Sequence, residues 1–447
     1  MPAAMKTFRL PAFDAPVRGE PDVCVVGGGA AGVAAAVGAA RSGQRVWLLE
    51  KYGFCGGATV AGMSGTICGL YNSGGPARQL VFGFAEEFAG ALRQRGGLGA
   101  PLKFGRTWLA PHDPFCWKEA ADQLLEIAGV TVRYHTIFLK AYADETGAVS
   151  TLLVRGPEGI YAIQPKAVVD ASGDAEVVAS LGGKTAFGRE GVVQTPTMVF
   201  RMGGVEMPAF LATDPAEIDR LAVATDRSGE YRLPRHHVYI FPMPNQGEAL
   251  CNMTRITMPD GTTPQVLSGA DITHAEMAGR RQVREYSRFL RDRVPGFKAA
   301  HLVDSGTQIG IRQTRSIAGV EQLANADVLS GRKRAGAVTF SAWPIEVHSG
   351  EGAGVTIRYL ENETYDIPFE ALIPLAGRNL VVAGRCLSAE HEALASARVT
   401  AQCFGMGYGA GASCGLMLAE GIASQKLTGP DVRAWMHGHR LKTSDQA

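Results

Sequence analysis

Neither sign of charge dominates this sequence: 44 Lys and Arg residues face 43 Asp and Glu, a formal net charge of +1 over 447 residues. Without a basic excess there is no electrostatic footprint for nucleic acid or an anionic membrane surface, so small molecules are the expected partners. The eight cysteines (Cys24, Cys55, Cys68, Cys116, Cys251, Cys386, Cys403 and Cys414) include no CxxC pair and no metal-ligand spacing. No metal site is therefore expected, and the chain reads as a reduced, cytoplasmic protein. No apolar run follows the cations of MPAAMKTFRLPAFDAPVRGE, and there is no twin arginine, so residues 1–20 read as an extension and not a signal peptide. Residues 23–40 carry no charge over 18 positions, but they contain five glycines and seven alanines and no Leu, Ile or Phe. Such a stretch inserts poorly in lipid, and its three adjacent glycines would break a spanning helix.

What the chain has in excess is glycine, 56 residues in all, against a usual share of ~7%. The first cluster is informative. DVCVV (Asp22–Val26) is a short β-branched run of the kind buried in a parallel sheet, and Gly27, Gly29 and Gly32 follow it as GxGxxG. The first glycine permits a tight turn, the second a close backbone approach to a pyrophosphate, and the third close packing of the next helix. That helix, starting near Ala30 and Ala31, would aim its free N–H groups at the phosphate and end near Gly43. RVWLL (Arg45–Leu49) is the second strand, and Glu50 at its tip can accept hydrogen bonds from an adenosine ribose. A 2′-phosphate ~4 Å from Glu50 would be repelled by about 4 kcal/mol at an effective dielectric near 20, which disfavours NADP and leaves FAD or NAD.

KYGFCGGAT follows, a second glycine cluster at Gly53, Gly56 and Gly57 where another helix is usual. Further strand-to-turn units appear at KAVVD into Ala171-Ser172-Gly173-Asp174 and at NLVVA into Gly384-Arg385, with a third strand at Val130–Tyr134. A sheet assembled from both ends of a chain too long for one core implies an inserted domain.

VVGGGAAG, EKYGFCGGAT, VVDASGDAEVVASLGG, GIRQTRSIAG, WPIEVH, YDIPFEALIP and LVVAGRCLSAEHEALASARV, in this order, resemble the FAD-dependent oxidoreductase family with a glutathione-reductase-type fold, related to the flavin region of heterodisulfide reductase large subunits. The resemblance runs from about residue 20 to 425. It implies an α/β, Rossmann-like FAD-binding domain at 21–184 and 345–430, an inserted mixed α+β substrate or cap domain at 185–344, and a tail at 431–447. It also implies non-covalent FAD. Gly27, Gly29, Ala31 and Gly32 would then face the pyrophosphate, with Glu50 and Lys51 at the ribose. Gly56, Gly57, Ala58 and Thr59 would line the flavin-side phosphate and ribityl chain. Ala171, Gly173 and Asp174 would form the acidic turn, and Gly384 and Arg385 would close the pyrophosphate from the other side. The late glycine helix would begin near Gly407 and Tyr408 and point a positive dipole end at the flavin. Iron–sulfur ligand spacing is absent, and Cys55 and Cys68 do not reproduce the redox pair of disulfide reductases.

In the insertion, TPTMVFRMGG and HHVYIFPMP read as strands, and DITHAEMAGRRQVREYSRFLRDRVPGF as a charged helix stopped at Pro295. Arg280, Arg281, Arg284, Arg288, Arg291 and Arg293 read as its solvated face. Arg312 and Arg315 would share a face if GIRQTRSIAG is helical, and could clamp a substrate carboxylate or form a structural ion pair. Strand alternation puts Glu346 and His348 on one face, an orienting carboxylate beside a proton carrier. His391 and Arg398 form a second polar cluster. GEGAG at 350–354 and GYGAG at 407–411 lack a strand before and a helix after, so no separate NAD(P)H domain is expected, although a nicotinamide or redox partner could dock transiently. The expected reaction is hydride exchange with a small organic substrate. A flavin monooxygenase, an electron-transfer subunit of a larger complex and a non-redox flavoprotein are the alternatives.

Overall fold

The computed structural model describes residues 7–8, 11–237, 239–348 and 354–447. Its centre is an all-parallel five-stranded sheet. β1 (Val23–Val26), β2 (Val46–Leu49), β3 (Thr131–Arg133) and β4 (Ala167–Asp170) are joined by Leu380–Val382 from far along the chain. The spatial order is Leu380–Val382, β4, β1, β2, β3. β1 and β4 are buried along their whole length, which is why they read as uninterrupted apolar runs without alternation. All five strands lie where the sequence predicts them. α1 (Ala30–Arg41) follows the glycine turn and packs on one face of this sheet.

Beside the parallel sheet stands an antiparallel meander of Ile137–Ala143, Val149–Gly156 and Gly159–Ile163. Val17–Gly19, expected in an N-terminal extension, pairs in parallel with the last of these strands. The expected C-terminal tail is also folded in: Val432, Met436 and Leu441 are buried in the same core as α1.

Residues 200–305 carry a four-stranded antiparallel sheet, in the order β6–β7–β5–β8. Its strands are β5 (Phe200–Gly203), β6 (Tyr239–Pro242), β7 (Ala249–Asn252) and β8 (His301–Ser305). The 25-residue helix α2 (Gly269–Arg293) accompanies this sheet, capped by the Ser268 hydroxyl on the Asp271 amide. Buried side chains from Met198 to Ile309 form a core of their own. Leu323, Val328 and Val338, which the sequence assigns to the insertion, instead belong to the same core as β1 and α1. Of the exposed arginines of α2, Arg280 pairs with Glu276 and Arg288 with Glu285 at helical spacing, and Arg293 pairs with Glu230. His236 and His237 precede β6 and are held by Asp226 and Asp219, so they do not alternate across a strand.

The chain then returns through β9 (Ile345–His348) and β10, the Leu380–Val382 strand, to the 21-residue helix α3 (Thr400–Glu420). α3 lies directly on α1: a Cβ at Gly407 would fall 2.0 Å from the Ala31 carbonyl oxygen, and one at Gly411 2.0 Å from that of Ala35. Glycine in the late helix is thus a packing requirement, since only bare backbone permits this approach.

Candidate functional site

A long cleft runs along the carboxyl ends of the parallel strands. Its wall comprises Gly27, Gly29 and Ala31 after β1, Glu50 to Tyr52 after β2, Ala171 to Asp174 after β4, and Ala383 to Arg385 after β10. Gly56 to Thr59 contribute as well. Crevices at this end of a parallel sheet follow from the topology, because loops diverge there on either side of the switch in strand order.

The glycine turn has the geometry its spacing implies. Gly27 has φ +100°, and a Cβ there would sit 2.6 Å from the Ala171 carbonyl oxygen. A Cβ on Gly32 would be 1.8 Å from the Gly27 oxygen, so the third glycine seats α1 on the turn and does not line the cleft. The two glycine clusters are joined to each other: the Gly56 amide donates to the Gly28 carbonyl at 2.8 Å. Glu50 is almost fully buried, accepting from the Gly28 amide at 2.7 Å and the Tyr52 amide at 2.9 Å. Burial raises its pKa, and these two amides work against the rise by favouring the carboxylate. Lys51 borders the cleft with its side chain exposed.

Asp170, fully buried at the end of β4, organises the next turn by accepting from the Ser172 amide and hydroxyl and from the Val177 and Val178 amides. The sequence signal was its place at the end of a strand before Ser and Gly, which reads equally well as an ordinary turn. Asp174 and Arg385 form an ion pair at 2.8 Å that ties the turns after β4 and β10 together. Arg385 also donates to the Gly173 carbonyl at 2.8 Å, and Thr314 donates to Asp174 at 2.8 Å.

Three expectations are corrected. α3 begins at Thr400, not near Gly407 and Tyr408. Its first turn, with Arg398, Val399 and Thr400, borders the cleft, while Gly407 packs on α1 and Tyr408 stacks on Phe84 at 5.3 Å. The alanine- and glycine-rich sequence offers no break to mark the start of that helix. Residues 312–315 are not helical, so Arg312 and Arg315 share no helix face. Arg315 lies in a short strand and donates to the Asp174 carbonyl at 2.7 Å, while Arg312 donates to the Thr195 carbonyl at 2.7 Å. The two polar clusters at 346–348 and 391–398 divide differently from their sequence spacing. His391 opens the helix His391–Ala397 away from the cleft lining, whereas Arg398 borders the cleft and stands in the field of Glu346. The GEGAG stretch, except Gly354, lies outside the described residues.

Glu346 and His348 meet as strand alternation predicts, with Nε2 to Oε1 at 3.2 Å. Burial, reinforced by Arg312, lowers the imidazole pKa to about 3, so the ring is neutral. Burial alone would raise Glu346, but His348, Arg398 and Arg312 together bring it below the usual range. Arg398 donates to Gln194 at 3.3 Å, and burial lowers its pKa to about 10. Arg235 and Tyr239 complete the group, with the guanidinium 4.7 Å above the ring centre. Neither carried a sequence signal, since a buried arginine looks like any surface arginine in a linear string.

Among the described residues no helix is long and apolar enough to cross a membrane, and no cluster of His, Cys, Asp and Glu could hold a metal ion. All eight cysteines are free.

A sequence profile described as FAD dependent oxidoreductase matches residues 22–436. Among solved structures, the fold is similar to that of a geranylgeranyl bacteriochlorophyll reductase-like protein from Thermoplasma acidophilum, with a TM-score of 0.50 and 14% identity over 95% of this chain and 84% of that one. A p-nitrophenol 4-monooxygenase from Pseudomonas putida aligns with a TM-score of 0.44 and 12% identity over 96% and 90% of the two chains. A myxobacterial chondrochloren halogenase aligns with a TM-score of 0.45 and 14% identity over 95% and 80%. No curated protein matches the sequence.

Proposed function

The chain belongs to the family of FAD-dependent oxidoreductases, with FAD as its cofactor, and from that premise we propose that it exchanges hydride with a small organic substrate, as a dehydrogenase or reductase. We assign FAD, without a covalent link, to the cleft, in the manner of a glutathione-reductase-type fold, and the substrate to the space between the cleft and the sheet of the insertion. The division into cofactor segments at 21–184 and 345–430 and a substrate segment at 185–344 belongs to the same reading.

The cleft residues fit such a group. A Cβ at Gly29 would meet nothing nearer than the Gly57 Cα at 4.0 Å, so the turn opens towards the cleft and leaves room for a phosphate against the backbone. Glu50 supplies an anionic acceptor for ribose hydroxyls, and the first turn of α3 brings free N–H groups and a positive dipole end to the cleft wall. FAD, when bound, supplies a two-electron centre that takes or gives hydride.

The remaining chemistry belongs to the chain. Arg398 orients the substrate, and neutral His348 receives the proton that an alcohol or amine loses as its C–H bond gives up hydride; because burial and Arg312 make the ring a weak base, it carries that proton only against the Glu346 carboxylate, whose hydrogen bond and charge favour the protonated form. The substrate thus gives up one proton and one hydride, two electrons in all. The observation that carries this reading is the convergence of Arg398, at the cleft wall, with the Glu346–His348 pair. Anaerobic mixing of the holoprotein with panels of alcohols, amines and acids, and separately with NADH and NADPH, tests it by loss of flavin absorbance. Bleaching by an organic substrate is expected. Bleaching by a nicotinamide alone, followed by oxygen-dependent hydroxylation, would replace the reading with a monooxygenase; bleaching by a protein partner alone would replace it with electron transfer.

A further inference from the structure

Three arginines, Arg235, Arg312 and Arg398, converge from segments far apart in the chain on one carboxylate, Glu346, whose field reaches all of them. With His348 neutral, the group carries more positive than negative charge. Arg235 is only 4% exposed, and its Nη2 has no hydrogen-bond partner among the described residues. Its Nη1 makes a long contact of 3.4 Å to the Asn252 amide oxygen, and the guanidinium also interacts with the Tyr239 hydroxyl. The Arg398 Nε and the Gln194 Nε2 are likewise buried without a partner. These are all donors, and they are left over where cations already repel each other. Mutual repulsion joins burial in lowering Arg312 to about 9. A buried guanidinium with an unused donor is costly until a water or an anion satisfies it, and three cations around one carboxylate favour the anion.

The surroundings of Arg235 suggest what the anion is attached to. Its guanidinium stacks on Tyr239, and Tyr239 packs edge-on against Phe104 at 4.8 Å. Phe241 also meets Phe104, at 6.1 Å. All three rings are half-buried; Phe241 leans on the small core of Met63, Val199, Met243 and Leu250, and together the rings leave part of an apolar wall uncovered.

We infer that Arg235, assisted by Arg312 and Arg398, is an anion site for the carboxylate of the substrate, and that the wall of Phe104, Tyr239 and Phe241 receives an apolar or aromatic body attached to it. This rests on the hydride-exchange reading above and narrows its substrate to a carboxylic acid. A planar guanidinium suits a carboxylate because two N–H groups match its two oxygens.

Titration of the FAD-loaded protein with benzoate and, in parallel, with benzamide tests the inference, read as perturbation of the visible flavin spectrum and by calorimetry. Benzoate should bind roughly 10- to 100-fold more tightly than the isosteric neutral amide. Arg235→Gln should abolish most of that preference, Arg235→Lys should retain part of it, and Arg288→Gln on the solvated face of α2 should change nothing. Equal binding of benzoate and benzamide by the wild-type protein would overturn the inference, whatever the variants do. So would a folded Arg235→Gln protein that keeps the preference. Benzoate selectivity in a protein whose flavin no organic compound bleaches would leave the anion site standing and remove the hydride-exchange reading. Rapid bleaching by neutral alcohols alone, without benzoate selectivity, would do the reverse.

Discussion

The glycine turn around Gly27 and the arginine group around Glu346 are both buried and polar, but they are built in opposite ways. The turn comes from one stretch, Val23 to Thr59, and its buried carboxylate is tied down internally: Glu50 takes the Gly28 and Tyr52 amides, and Gly28 takes the Gly56 amide. The arginine group is drawn from residues 194, 235, 312, 346–348 and 398, and it retains donors with no partner. A region whose hydrogen bonds close on themselves holds its shape before any ligand arrives. One with surplus buried donors is complete only with something else present. The first is therefore assigned to cofactor binding and the second to the variable partner, the substrate.

The largest effect that can sharpen this contrast is at His348. His348→Ala should slow flavin reduction by about 10² to 10⁴ while leaving the flavin spectrum intact, and stopped-flow absorbance measures both. Glu346→Gln should cost less, because it orients the ring without carrying the proton. If His391→Ala stalls reduction and His348→Ala does not, proton transfer belongs to the His391 end of the chain. If neither alters the rate, the proton passes directly to solvent.

Glu50 tests the self-satisfied region. Glu50→Ala removes a charge-assisted acceptor and frees two buried amides, so FAD affinity should fall by about one to two decades, read by fluorescence of released flavin. Unchanged affinity would mean that this turn does not hold the ribose.

A third buried polar site asks whether unpartnered groups always mark function. His112 is fully buried beside Trp117, both its ring nitrogens lack partners among the described residues, and burial lowers its pKa to about 4. The unfolded chain, with a histidine pKa near 6.5, takes up the proton first. The stability this neutral ring contributes is complete above that value and is lost as pH falls towards 4, at up to about 1.4 kcal/mol per pH unit. His348 adds a loss of the same sign. His112→Phe should flatten the decline between pH 6.5 and 4 in urea unfolding while leaving flavin reduction unchanged at pH 7. An unaltered slope would assign the acid sensitivity elsewhere.

The smallest effect is expected on α2, where Arg288 and Glu285 pair at 3.0 Å on an exposed face. Arg288→Ala should change unfolding free energy by less than about 0.5 kcal/mol. A larger loss would show that the charged helix is not merely solvated.

The sequence by itself determined the parallel sheet, the glycine turn, Glu50 at the tip of the second strand and the shared face of Glu346 and His348. Each depends on neighbours a few positions away, where strand alternation and turn chemistry act. The strand at Val17–Gly19 escaped that reading because three residues with no apolar pattern become a strand only when Gly159–Ile163 supplies the hydrogen bonds. The start of α3 at Thr400, the separation of Arg312 from Arg315 and the recruitment of Arg235 beside Tyr239 were decided by tertiary structure alone. A helix start among helix-forming residues is set by what it packs against, and here that is the backbone of α1. Whether an arginine is a solvated charge or a buried one short of a partner depends on which segments close over it, a property of three-dimensional packing that local sequence does not encode.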